Sequence, residues 1–311
     1  MRRWPLDVVV AVACYGSFSS ILLVINKLAI HGIPLPAFVF SVQFATTVTF
    51  VLALRRVGAI RADVFSAARV RRFVPYVGSF VISIYCNGKV LQYMNVETLI
   101  TFRCCTPIFV SVLDWHLLGR ELPSRRSFLA LLGVVVGAAL YVVCDSEFQL
   151  RGLRAYGWVF VYLAGNVFEM TYGKFVMARA EFEAPVWGSV FYTNALAVGP
   201  MACLSALSGE LHTLLQLDIG IDALAMLGMC SVAGVGISWA GWNCRNKVSA
   251  TTYTLLGVGS KLISVLLNVA IWEKHASPRG LAALLLCLLS SVFYEQAPVR
   301  PHSSKRCWLD V

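Results

Sequence analysis

The sequence predicts an all-α polytopic membrane protein with ten transmembrane helices, arranged as two inverted five-helix repeats. Three observations predict it. The 311 residues are 58% hydrophobic and only 14% charged, with a mean hydropathy of +0.73, whereas soluble domains carry about 25% charged residues. Ten apolar stretches have the length that crosses a ~30 Å hydrocarbon layer as helix. The two halves of the chain also match each other at a fixed offset.

The stretches are approximately 7–27, 36–54, 71–91, 95–118, 126–144, 154–178, 185–208, 221–243, 250–272 and 279–297. The first is too long for a cleavable signal peptide, lacks a small-residue cleavage site and leads directly into the second. The fourth carries Arg103 and Pro107, and the sixth carries Glu169 and Lys174. Gly133 with Gly137, Gly188 with Tyr192 and Gly234 with Ser238 recur at helix-packing distance in the fifth, seventh and eighth. Pro107 and Pro200 are expected to interrupt or kink their spans. The ninth holds a lysine, Lys261, near its centre.

The formal charge of +10 is distributed by side rather than by patch. With ten spans both termini share one side, whose segments hold 17 of the 26 Lys and Arg; six lie on the other side and three within spans. That asymmetry places both termini in the cytosol by the positive-inside rule and leaves no nucleic-acid partner. The ten cysteines include no CxxC pair and lie mostly in apolar stretches, so they read as small core residues. No Asn-x-Ser/Thr sequon is present.

SRRSFLALLGVVVGAALY (124–141) aligns with SPRGLAALLLCLLSSVFY (277–294), and Thr98 and Thr101 fall opposite Thr251 and Thr254 at the same offset. A repeat of five spans is odd, so the copies insert with opposite orientations. Inverted repeats point to a carrier whose site lies near the midplane between the halves. The units are 1–148 and 149–297, followed by a polar, basic tail at 298–311 that is expected to be disordered and cytosolic.

A lysine at the centre of a spanning helix costs roughly 2.5–3.5 kcal/mol on insertion scales. Lys261 snorkels to an interface, pairs with Glu169, or holds an anion beside the bulk-free backbone of Gly257 and Gly259. Arg103 lies on the fourth span, the repeat partner of the ninth, and its counterpart Leu256 stands near Lys261, so both cations are expected to face one cavity that suits a diphosphate. Lys174 either joins them or is neutralised by Glu169, and Lys27, beside Asn26, is a gate contact or an interface anchor. Phe191, Tyr192 and Asn194 in the seventh span, Ser238 in the eighth and Tyr253 in the ninth are candidates to read a base or sugar; an interhelical hydrogen bond is the alternative for Asn194. No histidine is spaced for a metal, and no P-loop or nucleophile elbow occurs, so neither catalysis nor a cofactor is expected.

FYTN (191–194), Ser238, Tyr253 and GVGSK (257–261), set in ten spans, resemble the nucleotide-sugar transporters of the drug/metabolite transporter superfamily. The GDP-mannose branch carries Phe-Tyr-Asn-Asn and Gly-Ala-Leu-Asn-Lys at these places. NVETLITFRCCTPIFVSVLDWHLLGRELPS (95–124) and SWAGWNCRNKVSATTYTLLG (238–257) are similar to plant and algal carriers of GDP-sugars. The resemblance implies that fold and a Golgi antiporter, multi-pass with both termini cytosolic. Such a carrier imports a GDP-sugar, GDP-mannose first and GDP-fucose or GDP-galactose next, in exchange for GMP. It implies that Asn194 and Ser238 contact guanine, and that Tyr253, Gly257 and Lys261 bind the sugar-diphosphate side. Thr193 and Ser260 stand where the motifs have asparagine, and Ser260 is thereby tied to sugar choice. Membrane lipid surrounds such a carrier, and both monomer and homodimer are open. The competing readings are a phosphorylated-metabolite exchanger of the triose-phosphate translocator type, which needs more site cations and no base-reading amide, and a membrane-embedded GDP-sugar transferase, which needs paired acids. Asp114 and Glu121 at the end of the fourth span are the available acids, read as a solvated end cap. A non-transporting scaffold leaves Arg103 and Lys261 without a use.

Overall fold

Local sequence sets where each helix begins and ends. The computed structural model describes residues 5–61, 65–117, 121–145, 156–179, 182, 184–248, 250–271, 276–295 and 297–298. Its helices are α1 (Leu6–Gly32), α2 (Pro36–Arg56), α3 (Ala67–Tyr93), α4 (Val96–Cys104), α5 (Thr106–Leu117), α6 (Arg125–Cys144), α7 (Gly157–Arg179), α8 (Pro185–Leu207), α9 (Glu210–Gln216), α10 (Ile221–Lys247), α11 (Ala250–Ile271) and α12 (Pro278–Val292). There is no strand among the described residues. Among the described residues six helical segments are by themselves long and apolar enough to cross a membrane: α1, α2, the stretch Val96–Leu113, α6, α8 and α10. The chain is therefore an all-helical, multi-pass membrane protein.

Prolines open α2, α8 and α12 in their first turn, where the missing N–H costs nothing. Ser124 and Ser277 cap α6 and α12, each accepting an N–H three residues on, from Ser127 and Gly280, at 3.2 Å. Gly209, at φ +76°, is left-handed and follows the end of α8. Glu210 then turns its carboxylate onto the first turn of α2, accepting Phe38 N–H at 2.9 Å, and onto Lys89 at 3.4 Å, so short α9 is tied to α2 and α3. The two prolines act differently. Pro107 follows the break between α4 and α5 at Cys105, whereas Pro200 lies inside an uninterrupted α8.

The helices pack in reciprocal pairs. Helix α1 lies along α10 and α3 along α7, while α2 lies against α8 and α6 against α12. The last pair is close because it is built from small residues. A Cβ on Gly137 would stand 2.8 Å from Cys287 Sγ and 2.9 Å from its backbone nitrogen, and one on Gly133 would collide with Ser290 Oγ. Cys287 donates to the carbonyl of Val134, the residue 153 positions earlier. Gly234 also stands at a helix contact: a Cβ there would lie 2.8 Å from Gln43 Cγ on α2. These contacts leave α1, α2, α3, α4, α7, α8, α10 and α11 around a shared interior space.

Candidate functional site

That space is a cavity of about 220 Å³, several times the roughly 30 Å³ share of one water molecule. Helical periodicity brings polar residues to it. On α10, Gly234, Ser238, Gly241 and Arg245 recur every three or four positions and, with Trp242, form one face on the cavity. On α7 the same spacing presents Tyr162, Asn166 and Glu169. Helix α1 contributes Tyr15, Ser19 and Asn26; α2 contributes Gln43 and Thr47; α3 contributes Tyr76, Ser83 and Asn87.

Three cations and one carboxylate line the cavity among the described residues: Arg103, Arg245, Lys261 and Glu169. Lys261 is buried, and its Nζ donates to Ser19 Oγ at 3.0 Å and Ser19 O at 3.1 Å. It neither snorkels nor pairs with Glu169. Arg103 donates to Tyr162 Oη at 3.4 Å. Glu169 instead pairs with Arg245 at 3.6 Å and accepts the Tyr76 hydroxyl at 3.2 Å. The Arg245 guanidinium lies over Trp242 at 5.2 Å and over Tyr253 at 4.8 Å. Tyr253 in turn packs on Tyr15, with ring centroids 4.6 Å apart.

The expected base-reading pair is also assembled here. Asn194 Nδ2 donates to Val190 O at 2.8 Å and to Ser238 Oγ at 3.4 Å, which leaves Oδ1 as its remaining acceptor, and both residues line the cavity. Gln43 Nε2 bridges Asn26 Oδ1 and Cys230 O, both at 2.8 Å, and so braces the wall between α1, α2 and α10.

Of the residues singled out from sequence, Arg103, Asn194, Ser238, Tyr253 and Lys261 meet in this cavity. Phe191, Tyr192, Gly257, Ser260 and Lys27 are not on its wall. Tyr192 is fully buried, accepts Ser66 N–H at 2.8 Å and packs with Phe73, while Phe191 meets Phe65. Gly257 admits helix α1: a Cβ there would lie 3.5 Å from Tyr15 Oη. Ser260 faces α1 too, donating to Gly257 O at 2.9 Å and Ser19 Oγ at 3.2 Å. Lys27 donates to Met94 O at 3.3 Å. The side chains of Lys174 and Asp114 lie outside the described residues.

Arg245 closes an apolar run beside Asn246 and Lys247, which gives it the sequence context of a connecting-segment cation. The structure places it on the cavity wall, and its spacing of seven from Ser238 is the signal that could have found it. Glu169 is an intramembrane acid assigned from sequence to Lys174 or Lys261; among the described residues its ion-pair partner is Arg245 and not Lys261, and the Lys174 side chain lies outside them.

A cation-lined cavity among apolar helices defines a membrane protein suited to holding an anionic solute. The profile described as the Triose-phosphate Transporter family matches residues 6–159. GDP-fucose transporter 1 of Arabidopsis thaliana is 35% identical over 91% of this chain and 84% of its own length. The GDP-mannose transporter GONST3 of the same plant is 31% identical over 93% and 78%. A GDP-mannose transporter of Komagataella pastoris is 20% identical over 90% and 87%. A solved crystal structure shares the fold with a TM-score of 0.54, at 14% identity, over 91% of this chain and 96% of that one. The chain belongs to the family that contains these plant transporters. It is a membrane transporter and not an enzyme.

Proposed function

We propose that this chain is a Golgi antiporter that brings a GDP-sugar into the lumen and returns GMP, with GDP-mannose first and GDP-fucose or GDP-galactose next. The observation that carries this reading is one cavity in which Arg103, Arg245 and Lys261 accompany the Asn194–Ser238 pair. The names of the relatives given above point the same way. In the proposed mechanism Lys261, Arg103 and Arg245 balance phosphate charge, and Asn194 with Ser238 reads guanine through N1–H and N2–H. Tyr253 lines the sugar end. Phe191, Tyr192, Gly257 and Ser260 act indirectly, by seating α8 on α3 and α11 on α1. No bond is made or broken; each ligand lowers the barrier between inward and outward states, and the empty carrier does not cross it.

The architecture we infer is ten spans in two inverted five-helix repeats, 1–148 and 149–297, with α4 and α5 forming one span and both termini cytosolic. Reciprocal packing supports it: α1 with α10 has its counterpart in α7 with α3, and α2–α8 and α6–α12 are self-paired. The serine caps of α6 and α12 stand at the same offset as the bond between Cys287 and Val134. Five helices per half require opposite insertion, so the two halves can rock about a midplane site. A phosphorylated-metabolite exchanger would use the cations but leave the Asn194–Ser238 pair without a role.

A thermal-shift measurement on purified protein tests ligand class. GMP and GDP-mannose are expected to raise the unfolding temperature, by an increment worth roughly 2.7 kcal/mol at a hundred times the dissociation constant. UMP at equal concentration should leave it unchanged. Equal stabilisation by UMP would remove the guanine assignment.

A further inference from the structure

Glu169 is the single carboxylate among the described cavity-lining residues, and the proposed transport step makes no use of it. It is held firmly. Arg245 Nη2 lies 3.6 Å away, with side-chain exposures of 18% for the arginine and 12% for the glutamate. The Tyr76 hydroxyl donates to the same carboxylate oxygen, and Arg245 Nη1 lies 3.5 Å from that hydroxyl. Trp242 and Tyr253 flank the guanidinium, so Arg245 is not free to leave the carboxylate for solvent. Three helices, α3, α7 and α10, thus fix one negative charge in a chamber whose described lining holds three positive ones.

We propose that Glu169 sets the chamber's net charge at two positive and thereby makes the carrier selective for dianions. The inference rests on the reading that the cavity takes guanine nucleotides. A GDP-sugar has two phosphodiester charges, and a nucleoside monophosphate carries close to two negative charges above pH 7. Either one brings the occupied chamber to neutrality, whereas free GDP, close to three negative charges, leaves one uncompensated. An unbalanced charge in a low-dielectric interior is costly, and alternating access must carry the occupied chamber through a closed state. Glu169 therefore lets a large sugar nucleotide and a small monophosphate share one site, and it disfavours the diphosphate. It touches the substrate's cation partner rather than the substrate, and acts as a specificity-setting residue.

The test is competition against labelled GDP-mannose counterflow in proteoliposomes of the full chain at pH 7.5, with GMP and GDP as inhibitors. Wild type is expected to bind GMP more tightly than GDP. Glu169→Gln raises the chamber to three positive charges and should move the GDP-to-GMP affinity ratio toward GDP by about tenfold. Glu169→Asp keeps the charge and should keep the wild-type ratio. The double change Glu169→Gln/Arg245→Gln restores two positive charges and should return the ratio toward wild type. If Glu169→Gln no longer transports, the same ratio is read from ligand-induced thermal shifts. A ratio unchanged within twofold in Glu169→Gln overturns the proposal, as does an Asp variant that shifts as far as Gln. A wild-type protein that takes neither GDP-mannose nor GMP removes the guanine-nucleotide reading instead.

Discussion

Lys261→Ala is expected to lower GDP-sugar exchange by at least about a hundredfold without lowering the amount of folded protein in the membrane. The two effects separate because of what Lys261 contacts. Its Nζ bonds only Ser19, and Ser19 Oγ keeps Ser260 as a partner when the lysine is gone. Removing the charge also removes an insertion cost of roughly 2.5–3.5 kcal/mol. A bound diphosphate would lose a charge-assisted partner in a buried site, where such truncations cost about 2–5 kcal/mol. Uptake by the variant in proteoliposomes, normalised to inserted protein, checks this. Exchange at the wild-type rate would dismiss Lys261 as a phosphate ligand.

The second large effect is one of selectivity. Asn194→Ala should cut GMP-driven exchange by roughly 30-fold while leaving any weak UMP-driven exchange where it was. Asn194 Nδ2 is committed to Val190 O and Ser238 Oγ, so Oδ1 is the acceptor left for the guanine donor edge. The carbonyl of Val190 lies in the same helix, so its loss should disturb packing little. The measurement is the ratio of initial uptake rates into vesicles preloaded with GMP and with UMP. An equal fall in both rates would mean that Asn194 braces α8 against α10 and reads nothing.

The residues legible in the sequence were those whose chemistry contradicts their surroundings. Lys261 and Arg103 stand out as charges in apolar runs, and Asn194 as an amide in mid-span; all three reach the cavity. Their neighbours were harder to place, because consecutive helical residues point about 100° apart. Asn194 faces the cavity, while Tyr192, two positions earlier, turns to Phe73 and Ser66. Ser260, adjacent to Lys261, turns to α1 and bonds Ser19, so of the two motif positions that differ from asparagine Ser260 is at a helix contact while Thr193 is on the cavity wall. Arg245 hid for the opposite reason: at the end of an apolar run, a wall cation and a loop cation have the same sequence context. Only the α10 face, read forward from Ser238 in steps of three and four, places it inside. The break at Cys105 precedes Pro107, whereas α8 runs through Pro200 without interruption.

The most direct test of the central claim is counterflow with the wild-type chain. Proteoliposomes preloaded with GMP, preloaded with UMP or left empty are presented with labelled GDP-mannose, GDP-fucose, GDP-galactose and UDP-galactose. The account predicts rapid uptake of at least one GDP-sugar into GMP-loaded vesicles, little into UMP-loaded or empty ones, and none of UDP-galactose. Uptake that proceeds with UMP but not with GMP, or equally into empty vesicles, would contradict it.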